Sequence, residues 1–131
     1  MKIALVSSKK SLLQITPLIA ASLKSQIKGV EVAEVITSNN LDLVKKVHDM
    51  KHFDLIVVIL YFEESSHDIN VVMEKLVDFD LGQKHTLKFL EQGDEFDETE
   101  ESNRISEEIM LKLFRKKKTR FESDRESFTS L

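Results

Sequence analysis

The chain contains no cysteine, no tryptophan, one proline and three glycines among 131 residues. Without cysteine there are no disulfides, no thiolate metal ligands and no thiol nucleophile. Three glycines leave little material for a phosphate-cradling loop, and neither a P-loop nor a dinucleotide fingerprint occurs. No G-x-S-x-G elbow is present, which argues against a serine hydrolase. Long apolar runs are also missing. The longest, Leu55 to Phe62, has the length of a buried strand and falls well short of the roughly 20 residues that span a bilayer. The opening run Ile3-Ala4-Leu5-Val6 is too short for the apolar region of a secretion signal, and no small-residue cleavage site follows it. The expectation is a soluble, cytoplasmic protein with no membrane partner. A strong charge of one sign is absent as well: the net charge is −4 although 32% of residues are charged. Mild acidity argues against broad nucleic-acid binding, which needs a basic face to neutralise phosphates.

What is present is a regular alternation of short apolar runs and helical patterns. Lys2 to Val6 reads as a buried strand. Thr16-Pro17 reads as a helix start, with Thr16 as cap and Pro17 in the first turn, and Gly29 stops that helix. Val30 to Thr37 is a second strand, and Ser38-Asn39-Asn40 caps a second helix. Asp54 to Phe62 is the clearest strand. An unbroken apolar run implies burial on both faces, as in a parallel sheet covered by helices. Ile69, Val72, Met73, Leu76 and Val77 give a helical stripe ended by Gly82. His85 to Glu91 is a weaker strand with Leu87 and Phe89 on one face, Gln92 to Glu101 an acidic loop, and Ile105 to Phe114 the last helix. The order βαβαβαβα predicts an α/β fold with a four-stranded parallel sheet and helices on both faces. One domain, 1–114, is expected, followed by a basic run (Arg115 to Lys118) and a polar tail over 115–131.

In open sheets of this kind ligands bind beyond the carboxyl ends of the strands. Four loops qualify: Ser7 to Lys10, Thr37 to Asn40, Tyr61 to Asp68 and Glu91 to Asp97. The third is distinctive, because His67 follows a buried strand and opens a helix. The positive end of a helix favours a neutral imidazole, the form a general base needs, while the neighbouring Asp68 favours the cation. The plainer reading is a solvated first-turn residue. His48 and His52 are four apart, which is metal-ligand spacing, but no third ligand accompanies them, so they read as surface histidines and no metal is expected. The acidic run lacks the order of a calcium loop. The basic run Arg115 to Lys118 sits at a helix C-terminus, where cations are favourable in their own right.

The stretch Glu63-Glu64-Ser65-Ser66-His67-Asp68-Ile69-Asn70-Val71-Val72 resembles the lumazine synthase motif, in which a buried strand leads into Gly-x-Thr-x-His and an apolar helix. Ser65 stands at the Thr position and His67 at the His. The likeness extends weakly over about residues 2–114. Towards its end it is similar to the archaeal-type riboflavin synthases, with Lys84-His85 before the fourth strand and Leu90-Glu91-Gln92-Gly93-Asp94-Glu95 after it. The resemblance implies a lumazine-synthase-like fold and a homo-oligomer. It also implies a transferase of riboflavin biosynthesis that condenses a ribitylaminopyrimidine with a four-carbon keto-phosphate, or that acts on the lumazine product, without metal or cofactor. His67 would shuttle protons. Thr37, Ser38, Asn39 and Phe62 would contact the pyrimidine, and Ser7, Ser8 and Ser65 would line the site. Arg104 or a lysine would hold the phosphate. The chain departs from the family pattern in lacking Val-Pro-Gly after the second strand and in carrying Glu63 in place of the Gly. Those departures favour an alternative: a non-catalytic ligand-binding or protein-interaction module on the same fold.

Overall fold

Leu55 to Phe62 form a strand in which all eight side chains are buried. Successive side chains of a strand point to opposite faces, and here they feed two separate cores. Leu55, Val57, Ile59 and Tyr61 enter one core, and Ile56, Val58, Leu60 and Phe62 enter the other. The rest of the chain is arranged to cover these two faces. The computed structural model describes residues 1–82 and 86–129, the side chains of 80–82 and 115–129 excepted. In chain order the elements are β1 (Lys2–Ser8), α1 (Thr16–Gln26), β2 (Glu31–Thr37), α2 (Asp42–Asp49), β3 (Leu55–Phe62), α3 (His67–Gly82), β4 (Thr86–Gln92) and α4 (Glu98–Thr129).

The four strands form one sheet in the order β2-β1-β3-β4, and every pairing is parallel. The α/β class and the all-parallel sheet expected from the alternation are therefore observed. Helix α1 contributes Ile19, Ala20 and Leu23 to one face and α4 contributes Ile105 and Ile109. Helices α2 (Leu43, Val47) and α3 (Ile69, Val72, Leu76, Phe79) cover the other. Each fully buried Leu, Ile or Val contributes roughly 1.5–3 kcal/mol of transfer free energy. The edge strand β2 is only partly covered and exposes Glu31 and Glu34, charges that discourage edge-to-edge association. On β4, Leu87 and Phe89 share a face as their spacing suggests.

Several boundaries differ from the sequence reading. Strand β1 continues through Ser7 and Ser8, because the Ser7 hydroxyl donates to the Ile59 carbonyl at 2.7 Å and so is satisfied inside the sheet. Thr16 is not the cap of α1. Ile15 occupies that position with no side-chain hydrogen bond, and Thr16 is already helical and 2% exposed. Gly29 takes a φ of 75°, the left-handed conformation that suits glycine between α1 and β2. The acidic loop is shorter than expected. Gln92 belongs to β4 and Glu98 begins α4, whose first turn is capped when the Glu100 N–H donates to Asp97 Oδ1 at 2.9 Å. Helix α4 crosses the boundary placed at residue 114. The Lys84-His85 pair lies outside the described residues. Among the described residues no helix is long and apolar enough to cross a membrane.

Candidate functional site

Strand order reverses direction between β1 and β3, and in open α/β sheets that is where a ligand crevice opens. In this protein the crevice is closed by the chain itself. After β1 the backbone turns back, and the Leu12 N–H donates to the Tyr61 carbonyl at 2.8 Å. The Ser11 hydroxyl accepts from the Tyr61 N–H at 2.9 Å and donates to the Leu13 carbonyl at 2.9 Å. Gln14 Nε2 donates to the carbonyls of Ser8 and Ser11. The segment from Ser11 to Gln14 is thus a plug across the carboxyl ends of β1 and β3. Ser11 was not among the residues the sequence singled out, since its partner lies fifty positions away.

The plug decides what the serines after β1 can do. Ser7 and Ser8 are buried, and both hydroxyls are used by the fold: Ser7 donates to Ile59, and Ser8 Oγ accepts from the Lys10 N–H at 3.0 Å. Thr37 is 5% exposed and donates to the Asn39 carbonyl at 2.7 Å. Asn39 Oδ1 accepts the Asp42 N–H at 3.0 Å and so caps the turn leading into α2. Phe62 is packed into the core beneath α2 and α3. Ser38 is exposed and lines a cavity of about 230 Å³ with Ile36, Thr37, Asp42, Lys45 and Lys46. Lys45 and Lys46 give this cavity a positive lining, partly offset by Asp42.

On the β3–α3 side the loop from Glu63 to Ser66 is exposed throughout. Ser66 Oγ accepts the Ile69 N–H at 3.3 Å and caps α3. Ser65 donates to Asn70 Oδ1 at 3.1 Å, across the first turn. His67 is exposed in that turn, and its side chain makes no hydrogen bond or ion pair among the described residues. His48 and His52 do not share a site. His48 stands edge-on to Phe79 at 4.8 Å, while His52 packs against Phe53.

Arg104 has a different environment from the one the resemblance implies. Nη2 lies 2.9 Å from Glu91 Oε1 and 2.8 Å from Glu101 Oε1, Nη1 lies 3.7 Å from Glu108, and the guanidinium sits over the Phe89 ring at 5.8 Å. The Tyr61 hydroxyl completes the cluster by donating to Glu101 Oε1 at 2.8 Å. Burial alone would raise the Glu101 carboxyl. Hydrogen bonds from Arg104 and Tyr61, with the Arg104 charge, outweigh it and hold the group below the ordinary carboxylate value. Burial raises the Tyr61 phenol well above its usual value, and the bond to Glu101 adds to the effect. The hydrogen bond to Glu101 likewise raises Arg104, so it stays cationic. Phe96 stacks edge-on against Tyr61 at 4.7 Å and covers the cluster. The group ties α4 to β3 and β4. Its charge is already matched, so Arg104 holds an external phosphate only by giving up carboxylates.

The structure therefore separates the expected site residues. His67, Ser65 and Ser38 are accessible; Asn39 is exposed as well but its side chain caps the turn into α2, and Ser7, Ser8, Thr37, Phe62 and Arg104 serve the fold. Compared with protein-family models and with curated proteins, the chain matches none.

Proposed function

We propose that the protein is a lumazine-synthase-like transferase of riboflavin biosynthesis, cytoplasmic and homo-oligomeric. It would condense a ribitylaminopyrimidine with a four-carbon keto-phosphate or act on the lumazine product. The observation that carries this reading is His67: an exposed imidazole in the first turn of α3, directly beyond a strand of a four-stranded parallel sheet. In the condensation an amine of the pyrimidine attacks the ketone and water leaves. Phosphate is then eliminated, and the second amine closes the ring on the remaining carbonyl with loss of a second water. His67 would accept and return the protons that these steps move. Lys45 and Lys46, at the cavity beside Ser38, are better placed than Arg104 to receive the anionic end, because no carboxylate within ion-pair distance occupies them among the described residues.

A second reading, the non-catalytic binding or interaction module, is favoured by specific observations. Arg104 is committed to Glu91 and Glu101, and the Ser11–Gln14 plug closes the crevice between β1 and β3. Glu63 and Glu64, both exposed beside His67, would each repel a phosphate by about 1 kcal/mol at close range in water.

Titration with 6,7-dimethyl-8-ribityllumazine, followed by its fluorescence, separates the two readings. That compound is the product of one reaction and the substrate of the other. Saturable binding, weakened at least tenfold by His67→Ala, is the expected result. Absence of binding at millimolar ligand would overturn the transferase reading in favour of the module.

A further inference from the structure

The carboxyl-end face of the sheet is divided by charge. Beyond β1 stand Lys9 and Lys10, both exposed, and beyond β2 lies the cavity lined by Lys45 and Lys46. Asp42 is the carboxylate that interrupts this basic side. Beyond β3 come Glu63 and Glu64, both exposed, and beyond β4 an open cavity lined by Asp94, Glu95, Phe96 and Asp97. Among the described residues, none of these four lysines has an ion-pair partner, and neither have Glu63, Glu64, Asp94 and Glu95. The strand order is β2-β1-β3-β4, so positive charge lies on one side of the β1–β3 boundary and negative charge on the other. Leu12 stands at that boundary. Its N–H is bonded to the Tyr61 carbonyl, and it is 48% exposed.

A face that carries the two signs in separate halves can be matched by a second copy of itself. Two limiting two-fold arrangements set such faces end to end. An axis across the strands, in the plane of the sheet, puts β2 over β2 and β4 over β4, like charge on like. An axis along the sheet normal reverses the order, so β1 and β2 of one copy face β3 and β4 of the other. Lys9 and Lys10 then face Glu63 and Glu64, and Lys45 and Lys46 face Asp94 and Glu95. Each contact occurs twice, because such an interface is isologous. Leu12 falls near the axis, opposite its own copy, and supplies an apolar centre within a polar rim. Charge complementarity of this kind fixes register and disfavours the wrong arrangement. We propose that the carboxyl-end face is a homodimer interface, occupied by a second copy of this chain in the arrangement that reverses strand order. Lys45 and Lys46 then serve the partner copy, so the inference rests on the reading of the protein as an interaction module. A chain that binds no ribityllumazine and stays monomeric keeps that reading and loses this inference.

The test is sedimentation of the full chain at micromolar concentration, with far-UV circular dichroism to confirm that each variant is folded. The wild type should sediment as a dimer, and its dissociation constant should rise at least tenfold from about 0.05 M to about 0.5 M salt, as exposed charges are screened. Glu63→Lys combined with Glu64→Lys should weaken association at least tenfold, and so should Lys9→Glu combined with Lys10→Glu. Mixing these two variants should restore dimers, because every facing pair is again of opposite sign. The chain has no cysteine, so the arrangement can be read directly with a short bis-maleimide. Leu12→Cys should cross-link to itself, and Asp94→Cys should not. A wild type that stays monomeric overturns the proposal, and retention of that monomer on heparin would give the lysines to a polyanion instead. A dimer indifferent to salt and to charge reversal overturns it as well. Cross-linking of Asp94→Cys to itself overturns the reversed strand order.

Discussion

Removing one hydroxyl should reopen the crevice between β1 and β3 and cost more stability than its size suggests. Ser11 is 6% exposed, and its Oγ serves two backbone groups, accepting from the Tyr61 N–H and donating to the Leu13 carbonyl. In Ser11→Ala the Tyr61 N–H is left without a partner inside a fully buried strand. An orphaned buried donor costs about 1–3 kcal/mol, and the loosened Leu13 carbonyl adds to it, so about 2–3 kcal/mol is expected in total. Ser25→Ala is the internal control. Its hydroxyl also donates to a backbone carbonyl, that of Ser22 at 2.8 Å, but in an exposed position, so water replaces the lost bond and the change should stay within about 0.5 kcal/mol. Urea unfolding reads both. With a slope near 2 kcal/mol per molar for a domain of this size, Ser11→Ala should lower the midpoint by roughly 1–1.5 M, and Ser25→Ala by no more than about 0.25 M. Amide exchange gives an independent readout, since Tyr61 N–H protection should fall more than that of Val57 N–H. Equal midpoint shifts for the two variants at unchanged slope would refute the claim that Ser11 seals the sheet.

Arg104→Ala should destabilise the fold by about 1–2 kcal/mol at neutral pH, a charge-assisted value reduced because the side chain is 38% exposed. Because the folded Glu101 carboxyl lies below its ordinary value, its contribution is fully present above about pH 4.3. It is lost as pH falls through the lowered folded value, so the gap in Tm between wild type and variant should narrow from pH 7 to pH 3. A gap that widens would contradict the arrangement. Gly93→Ala places a Cβ 2.7 Å from Phe96 Cζ and should push that ring off Tyr61. The expected loss is about 1–2 kcal/mol, read by chemical denaturation. Gly93→Ala in a Phe96→Leu background should cost markedly less.

The strands were legible where one side chain after another is apolar. Leu55 to Phe62 announces burial on both faces because no polar group interrupts it, and the helical stripe from Ile69 onward lies where its period places it. Ser7 and Ser8 hid the end of β1, since a polar residue extends a central strand only when another strand supplies its partner, here Ile59. The start of α4 was written locally: Asp97 followed three residues later by Glu100 is a capping signature, masked by the acidic residues on either side of it. The candidate site divides in the same way. His67 could be found because a local pattern, strand end to helix start, positions it. The engagement of Arg104 could be only half read. Glu101 is one turn away on the same helix, but Glu91 and Tyr61 arrive from β4 and β3. The plug could not be read at all, because nothing near Ser11 points to Tyr61.

The two cores also differ in when they can be completed as the chain leaves the ribosome. Among the described residues, the layer containing α2 and α3 takes its last fully buried side chain from Phe79. Once β1, β2 and β3 have emerged with those helices, that side of the sheet can close. The opposite layer waits for Ile105 and Ile109 of α4, which pack across the face shared with Ile19 and Leu23 of α1, more than eighty residues earlier in the chain. A nascent chain that has just finished β4 therefore carries one sealed face and one apolar face only half covered by α1. That interval, rather than the finished protein, is when the sheet is most open to a chaperone or to aggregation.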